Sequence, residues 1–84
     1  MMIKDWAMPS NWNHLASNIL KAELKRKAIS YEQLKEKLAM IGIDETINSI
    51  KNKIGRGTFQ FAFFLQCATA IGIKNLHLEG LAEI

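Results

Sequence analysis

Apolar residues along this chain gather into helix-length amphipathic runs, and Gly42, the segment Gly55-Arg56-Gly57 and Gly72 close three of them. A helix stops most easily on a residue that tolerates positive φ, and glycine does so without a Cβ penalty, so this punctuation reads as short helices joined by tight turns. No strand-rich region interrupts the pattern. An all-α domain is the expectation.

In the first run, from Asn11 to about Lys27, Trp12, Leu15, Ala16, Ile19 and Leu20 recur at helical spacing while Lys21, Lys25 and Arg26 turn outward. Pro9, the only proline, marks the boundary with a short N-terminal arm, residues 1–9, and Ser10 is the expected N-cap. Ser30-Tyr31-Glu32-Gln33 has capping-box form, in which the serine accepts from the backbone three residues on and the glutamine reaches back. A second helix begins there, with Tyr31, Leu34, Leu38 and Ile41 as its buried stripe and Gly42 as its stop. Asp44 is the expected N-cap of a third helix, Glu45 to Ile54, whose Ile47, Ile50 and Ile54 share one face. Gly55-Arg56-Gly57 terminates it, and Phe59 to Ile71 forms a fourth helix that ends at Gly72. The tail, 74–84, is amphiphilic and suits either a fifth short helix or an extended segment. The chain thus divides into arm, a helical domain over residues 10–73, and tail.

Size and composition narrow the function classes. A chain of 84 residues, 49% hydrophobic and 23% charged, is one globular domain that buries only about 60% of its unfolded surface, so dimerisation would add stability. The single cysteine, Cys67, excludes an internal disulfide and a thiolate zinc site, and fits a reducing cytoplasm. It lies on the apolar fourth helix, where it reads as a small buried hydrophobe. The N-terminus lacks a signal-peptide core and no apolar run approaches the ~18 residues that cross a membrane, so the expected location is cytoplasmic. His14 and His77 have no carboxylate or cysteine at ligand spacing, and no acid–base pair, triad or phosphate-cradling loop stands out. No enzyme activity, metal or cofactor is expected.

Charge placement is more informative than the net +3. Between Thr46 and Leu78 there is no Asp or Glu, whereas Lys51, Lys53, Arg56 and Lys74 are basic. On the third helix, the face opposite the isoleucines carries Glu45, Asn48, Ser49 and Asn52, flanked by Thr46 and Lys53. Asparagine pairs bidentately with adenine edges, serine and threonine bond to several bases, and lysine or arginine holds phosphate or guanine. Asn48, Ser49 and Asn52 are therefore the candidate base readers, and Lys51, Lys53 and Arg56 the candidate phosphate contacts. The same residues would also serve as an ordinary solvated face; the helix–turn–helix spacing is what sharpens the reading. On the fourth helix, Phe61 and Phe63 lie about 200° apart, so one of its phenylalanines needs a partner beyond the main core. The arm with Trp6, Trp12, or a second subunit are the options.

Three segments carry a family resemblance: Ile29-Ser30-Tyr31-Glu32-Gln33-Leu34, Ile54-Gly55-Arg56-Gly57 and Phe64-Leu65-Gln66-Cys67-Ala68-Thr69-Ala70-Ile71-Gly72-Ile73. They resemble the λ-repressor-like (XRE-type) DNA-binding family over roughly half the chain. The resemblance implies a bundle of four to five short helices with its helix-turn-helix core from Ser30 to Ile73, sequence-specific binding of double-stranded DNA as a homodimer, and a role in transcriptional regulation. It also implies that Tyr31 and Arg56 contact the DNA backbone, which with Thr46, Asn48, Ser49, Asn52 and Lys53 completes the expected DNA-binding set. Two features depart from the family pattern. The stretch Leu34 to Gly57 is several residues longer, the excess falling around Met40 to Thr46 and bearing on the angle of the third helix. Tyr31 also stands where many members have glutamine. The chain is further similar to a group of small uncharacterised bacterial domains that share Ala22 to Lys25 and the Arg56-to-Cys67 block. An adaptor or antitoxin-like module, keeping the helical shell and binding a protein partner, is the alternative expectation.

Overall fold

The computed structural model describes residues 9–78. Four helices follow in order, α1 (Pro9–Arg26), α2 (Tyr31–Met40), α3 (Ile47–Arg56) and α4 (Phe61–Ile71), and no strand occurs among the described residues. Residues 73–78 are not helical. The expectations for the arm before Pro9 and for 79–84 lie outside the described residues.

Helix α1 starts on Pro9 itself, whose fixed φ suits a first helical position, so Ser10 falls inside the helix instead of capping it. Its core face is Ser17, Leu20, Glu23 and Leu24, all buried, whereas Trp12 stays 45% exposed. Helix α2 begins as the sequence predicts. The Ser30 hydroxyl accepts from the Gln33 N–H (3.1 Å) and the Gln33 side-chain oxygen accepts from the Ser30 N–H (2.8 Å), which together satisfy two helix-end donors. Leu34 and Leu38 are fully buried, but Ile41 lies beyond the helix and is exposed; Ile43 packs against the core in its place.

Three helices end by one device. Ala28, Gly42 and Gly72 take positive φ, of 56°, 85° and 78°, and the isoleucine that follows each donates its N–H five residues back: Ile29 to Leu24, Ile43 to Leu38 and Ile73 to Ala68, at 2.8–2.9 Å. This is the Schellman arrangement, completed by an aliphatic contact from the residue after the turn. Ile29, Ile43 and Ile73 all pack against the core. Only the first device lacks a glycine, and Ala28 bears the left-handed conformation that L-residues resist.

Helix α3 corrects the expected start. Its N-cap is Thr46, whose hydroxyl accepts from the Ser49 N–H at 3.0 Å, and not Asp44. Glu45 therefore precedes the helix, and its carboxylate turns back onto Ser49 and Lys53. The far end shifts as well: α3 continues through Gly55 and Arg56 to Gly57 at φ 70°. Gly57 is buried where α3 meets α1, so close that a Cβ there would overlap the Asn13 carbonyl.

The core joins Leu20 and Leu24 of α1, Leu34 and Leu38 of α2, Ile50 and Ile54 of α3, and Phe63, Phe64, Cys67 and Ile71 of α4. α2 packs against both α3 and α4, while α1 packs on α3. Phe63 and Phe64 are buried and Phe59 is half-buried, which leaves Phe61, 65% exposed and stacked on Phe64 at 5.8 Å, as the ring outside the core. The segment after α4 is tied to α1 through Glu23, a buried carboxylate that accepts from Arg26 (2.9 Å) and from the His77 ring Nδ1 (2.7 Å). Burial favours the neutral acid, but the hydrogen bonds from Arg26 and His77 outweigh it and hold the Glu23 carboxyl below its usual range.

Candidate nucleic-acid interface

A helix shows solvent whatever its neighbours leave uncovered, and α3 packs on α1 and α2, with the start of α4 near its Lys53. With Ile50 and Ile54 buried, the exposed side is formed by Asn48, Lys51, Asn52, Gly55 and Arg56. At ~100° per residue these positions span a continuous arc of about 140°. The arc contains no carboxylate and combines two asparagine amides with two permanent cations. Gly55 has open space around it, so the helix backbone is bare at that point.

The edge of the arc toward α4 differs in character. Ser49 and Lys53 lie on it, and both point at Glu45: the Ser49 hydroxyl donates to one carboxylate oxygen at 2.7 Å and the Lys53 ammonium to the other at 2.6 Å. The Lys53 Nζ also sits 4.8 Å from the centre of the Phe63 ring, in cation–π range. The Lys53 ammonium holds the Glu45 carboxyl below the usual carboxylate range, against the opposing effect of burial and with help from the Ser49 hydroxyl. Cys67 feels the same surroundings from inside the core: burial, reinforced by the Glu45 charge, pushes its thiol up to about 12. A thiol so disfavoured as thiolate is not a nucleophile.

Beyond this ridge an open cleft of about 650 Å³ separates the second half of α3 from the start of α4. Ser49, Asn52, Lys53 and Arg56 line one wall, and Thr58, Gln60 and two phenylalanine rings complete it. No side chain caps the first turn of α4, and no acidic residue lies in it, so the positive end of the α4 dipole faces this side uncompensated.

The structure thus brings Asn52 and Arg56 into the cleft with Ser49 and Lys53, and places Asn48 on the adjoining exposed arc. Thr46 is the helix cap, its hydroxyl engaged by the backbone. Tyr31 is half-buried and lines a different cleft, between α1 and the start of α2, with Lys21 and Lys25. The expected fourth helix from Phe59 starts instead at Phe61, with Gln60 as its N-cap; Thr58 lies in the turn before it, and the role of both as cleft walls appears only when α4 folds back. Among the described residues no group of His, Cys, Asp and Glu is arranged to hold a metal ion, and no helix is long and apolar enough to cross a membrane.

No curated protein and no solved structure matches the chain. A family match does extend over residues 12–76, from the first described turn of α1 past the end of α4, and so takes in the whole α3 arc and cleft. By that match the chain belongs to the family described as "Domain of unknown function (DUF6471)".

Proposed function

We propose that this domain binds double-stranded DNA as a helix-turn-helix protein of the λ-repressor-like kind, with α2 and α3 as the two helices of the unit and α3 entering the major groove, and that it regulates transcription. The observation that carries the reading is the α3 arc: amides and cations, no acid, on a helix of 10 residues whose opposite face is locked into the core. In this reading Asn48 and Asn52 read base edges, Arg56 holds a phosphate beside the uncapped start of α4, and Lys51 holds one from the far edge of the arc. Residues 41–46 form a longer connection than the usual 3–4-residue turn, and its Schellman end and Thr46 cap make it a defined bend. As a homodimer the domain would span two half-sites about 34 Å apart.

A salt titration of affinity for duplex DNA tests the reading. Arg56→Ala should weaken all sequences alike and lower the salt slope by ~1, whereas Asn52→Ala should relax preference at one base pair, by roughly 1–3 kcal/mol. Duplex binding that is undetectable even at low salt refutes it.

One observation favours the second reading, a protein-interaction or antitoxin-like module. Phe61, Leu76 and Leu78 are all exposed by more than 40% and border a wholly apolar cleft of about 140 Å³ against α1 and α4. Concentration-dependent mass together with indifference to DNA would favour that role.

A further inference from the structure

The residue that changes what α3 can do lies outside it. Glu45 is only 14% exposed, against 41% for the Lys53 side chain, and it engages Ser49 and Lys53 at once. Its two oxygens therefore remove one cation and one hydroxyl donor from the surface that faces the cleft. Ser49 and Lys53 stand four residues apart on one edge of α3, beside Phe63 of α4, and Glu45, just before the helix, reaches both. Asn48, Lys51, Asn52 and Arg56 fall on the other side of that edge and have no contact with Glu45 among the described hydrogen bonds and ion pairs.

We infer that Glu45 is a built-in restraint on phosphate binding: it occupies Lys53, fixes Ser49 as a hydrogen-bond acceptor, and so limits indiscriminate attraction of α3 to the DNA backbone. This inference rests on the DNA-binding reading above. The physical logic is competition. Lys53 meets a carboxylate already in place, at 2.6 Å and partly shielded from water, before any phosphate arrives, and the carboxylate repels phosphates that approach within a Debye length of ~10 Å. Because the Ser49 hydroxyl proton points at Glu45, only its lone pairs remain available. Those accept from the amino groups of cytosine or adenine and offer nothing to the carbonyl edges of guanine and thymine. Affinity that does not depend on sequence is thereby reduced, while the asparagine contacts are untouched.

The test uses the full chain and a random-sequence 20-base-pair duplex, titrated by fluorescence anisotropy from 50 to 500 mM salt. Glu45→Gln keeps the shape of the side chain and removes its charge; Glu45→Ala is the second variant. Glu45 precedes α3, so neither change removes a helix backbone bond, and circular dichroism melts establish that each is folded. Freeing Lys53 for one further phosphate should steepen the salt slope by about 0.9, which corresponds to about eightfold tighter binding at 0.1 M salt, vanishing toward 1 M. The double variant Glu45→Gln with Lys53→Gln should return the slope to that of the unaltered protein. If the unaltered protein binds and both Glu45 variants bind no more tightly and with the same slope, the restraint is overturned and the DNA-binding reading stands. Absence of binding by every form overturns that reading and the inference with it.

Discussion

Replacing Gly57 by alanine probes the close approach of α3 to α1. Two costs arise there and they are separable. The first is conformational: Gly57 holds φ at 70°, a region that costs an L-residue roughly 1–2 kcal/mol. The second is steric, since the new methyl would lie 2.7 Å from the Asn13 carbonyl carbon and closer still to its oxygen. Both belong to backbone, so α1 and α3 must move apart, a form of overpacking that costs typically 1–3 kcal/mol. The sum, about 2–5 kcal/mol, is a large share of the roughly 4–13 kcal/mol available to 84 residues. Gly72→Ala is the matched control, with φ at 78° and nothing within 4 Å of the added methyl; it should show the conformational cost alone. Urea unfolding followed by circular dichroism measures both, and with m of about 1 kcal/mol/M the Gly57 variant should unfold about 2–5 M earlier than the parent. Equal losses for the two variants would refute the close crossing of α1 and α3.

Other consequences follow from single residues. Ala28→Gly should raise stability by about 0.5–1 kcal/mol in the same assay, because relief of the left-handed strain exceeds the added freedom of the unfolded chain. Ser17→Ala should be neutral or slightly stabilising, since this buried hydroxyl has no hydrogen-bond partner to lose. Glu23 and Glu45 both have carboxyls held below the usual range, so the stability they contribute is present above the unfolded value of about 4.3 and is lost as pH falls through their folded values. Melting temperature should accordingly drop on acidification below about pH 4.3, and Glu23→Gln should flatten that dependence. Cys67 should resist thiol reagents in the native protein and react on unfolding, as its burial and raised ionisation require.

Local chemistry was legible in the residues themselves. The Ser30–Gln33 capping box, the stops at Gly42 and Gly72, and the buried Leu34, Leu38, Ile50 and Ile54 each follow from interactions within a turn or two of helix, which spacing alone encodes. The expected cap at Asp44 was wrong for an equally local reason: Thr46 offers its hydroxyl three residues before the Ser49 N–H, while Asp44 has the same offset to Ile47. Thr46 makes its bond, and Glu45, left just before the helix, turns its carboxylate onto Ser49 and Lys53.

What spacing could not encode is which groups meet across elements. The acid-free stretch from Thr46 to Leu78 is real as sequence, yet Glu45, one residue outside it, supplies a carboxylate to Lys53 eight residues away because the chain enters α3 at that angle. His77 and Glu23 are 54 residues apart and meet because the segment after α4 returns to α1. The cleft exists only once the start of α4, packed on α2, comes opposite the second half of α3. Sequence determined that this chain makes short capped helices with an amide- and cation-bearing third helix. Tertiary structure alone decided which of those polar groups remain available to a partner, because availability depends on competition among neighbours, and neighbours are set by packing.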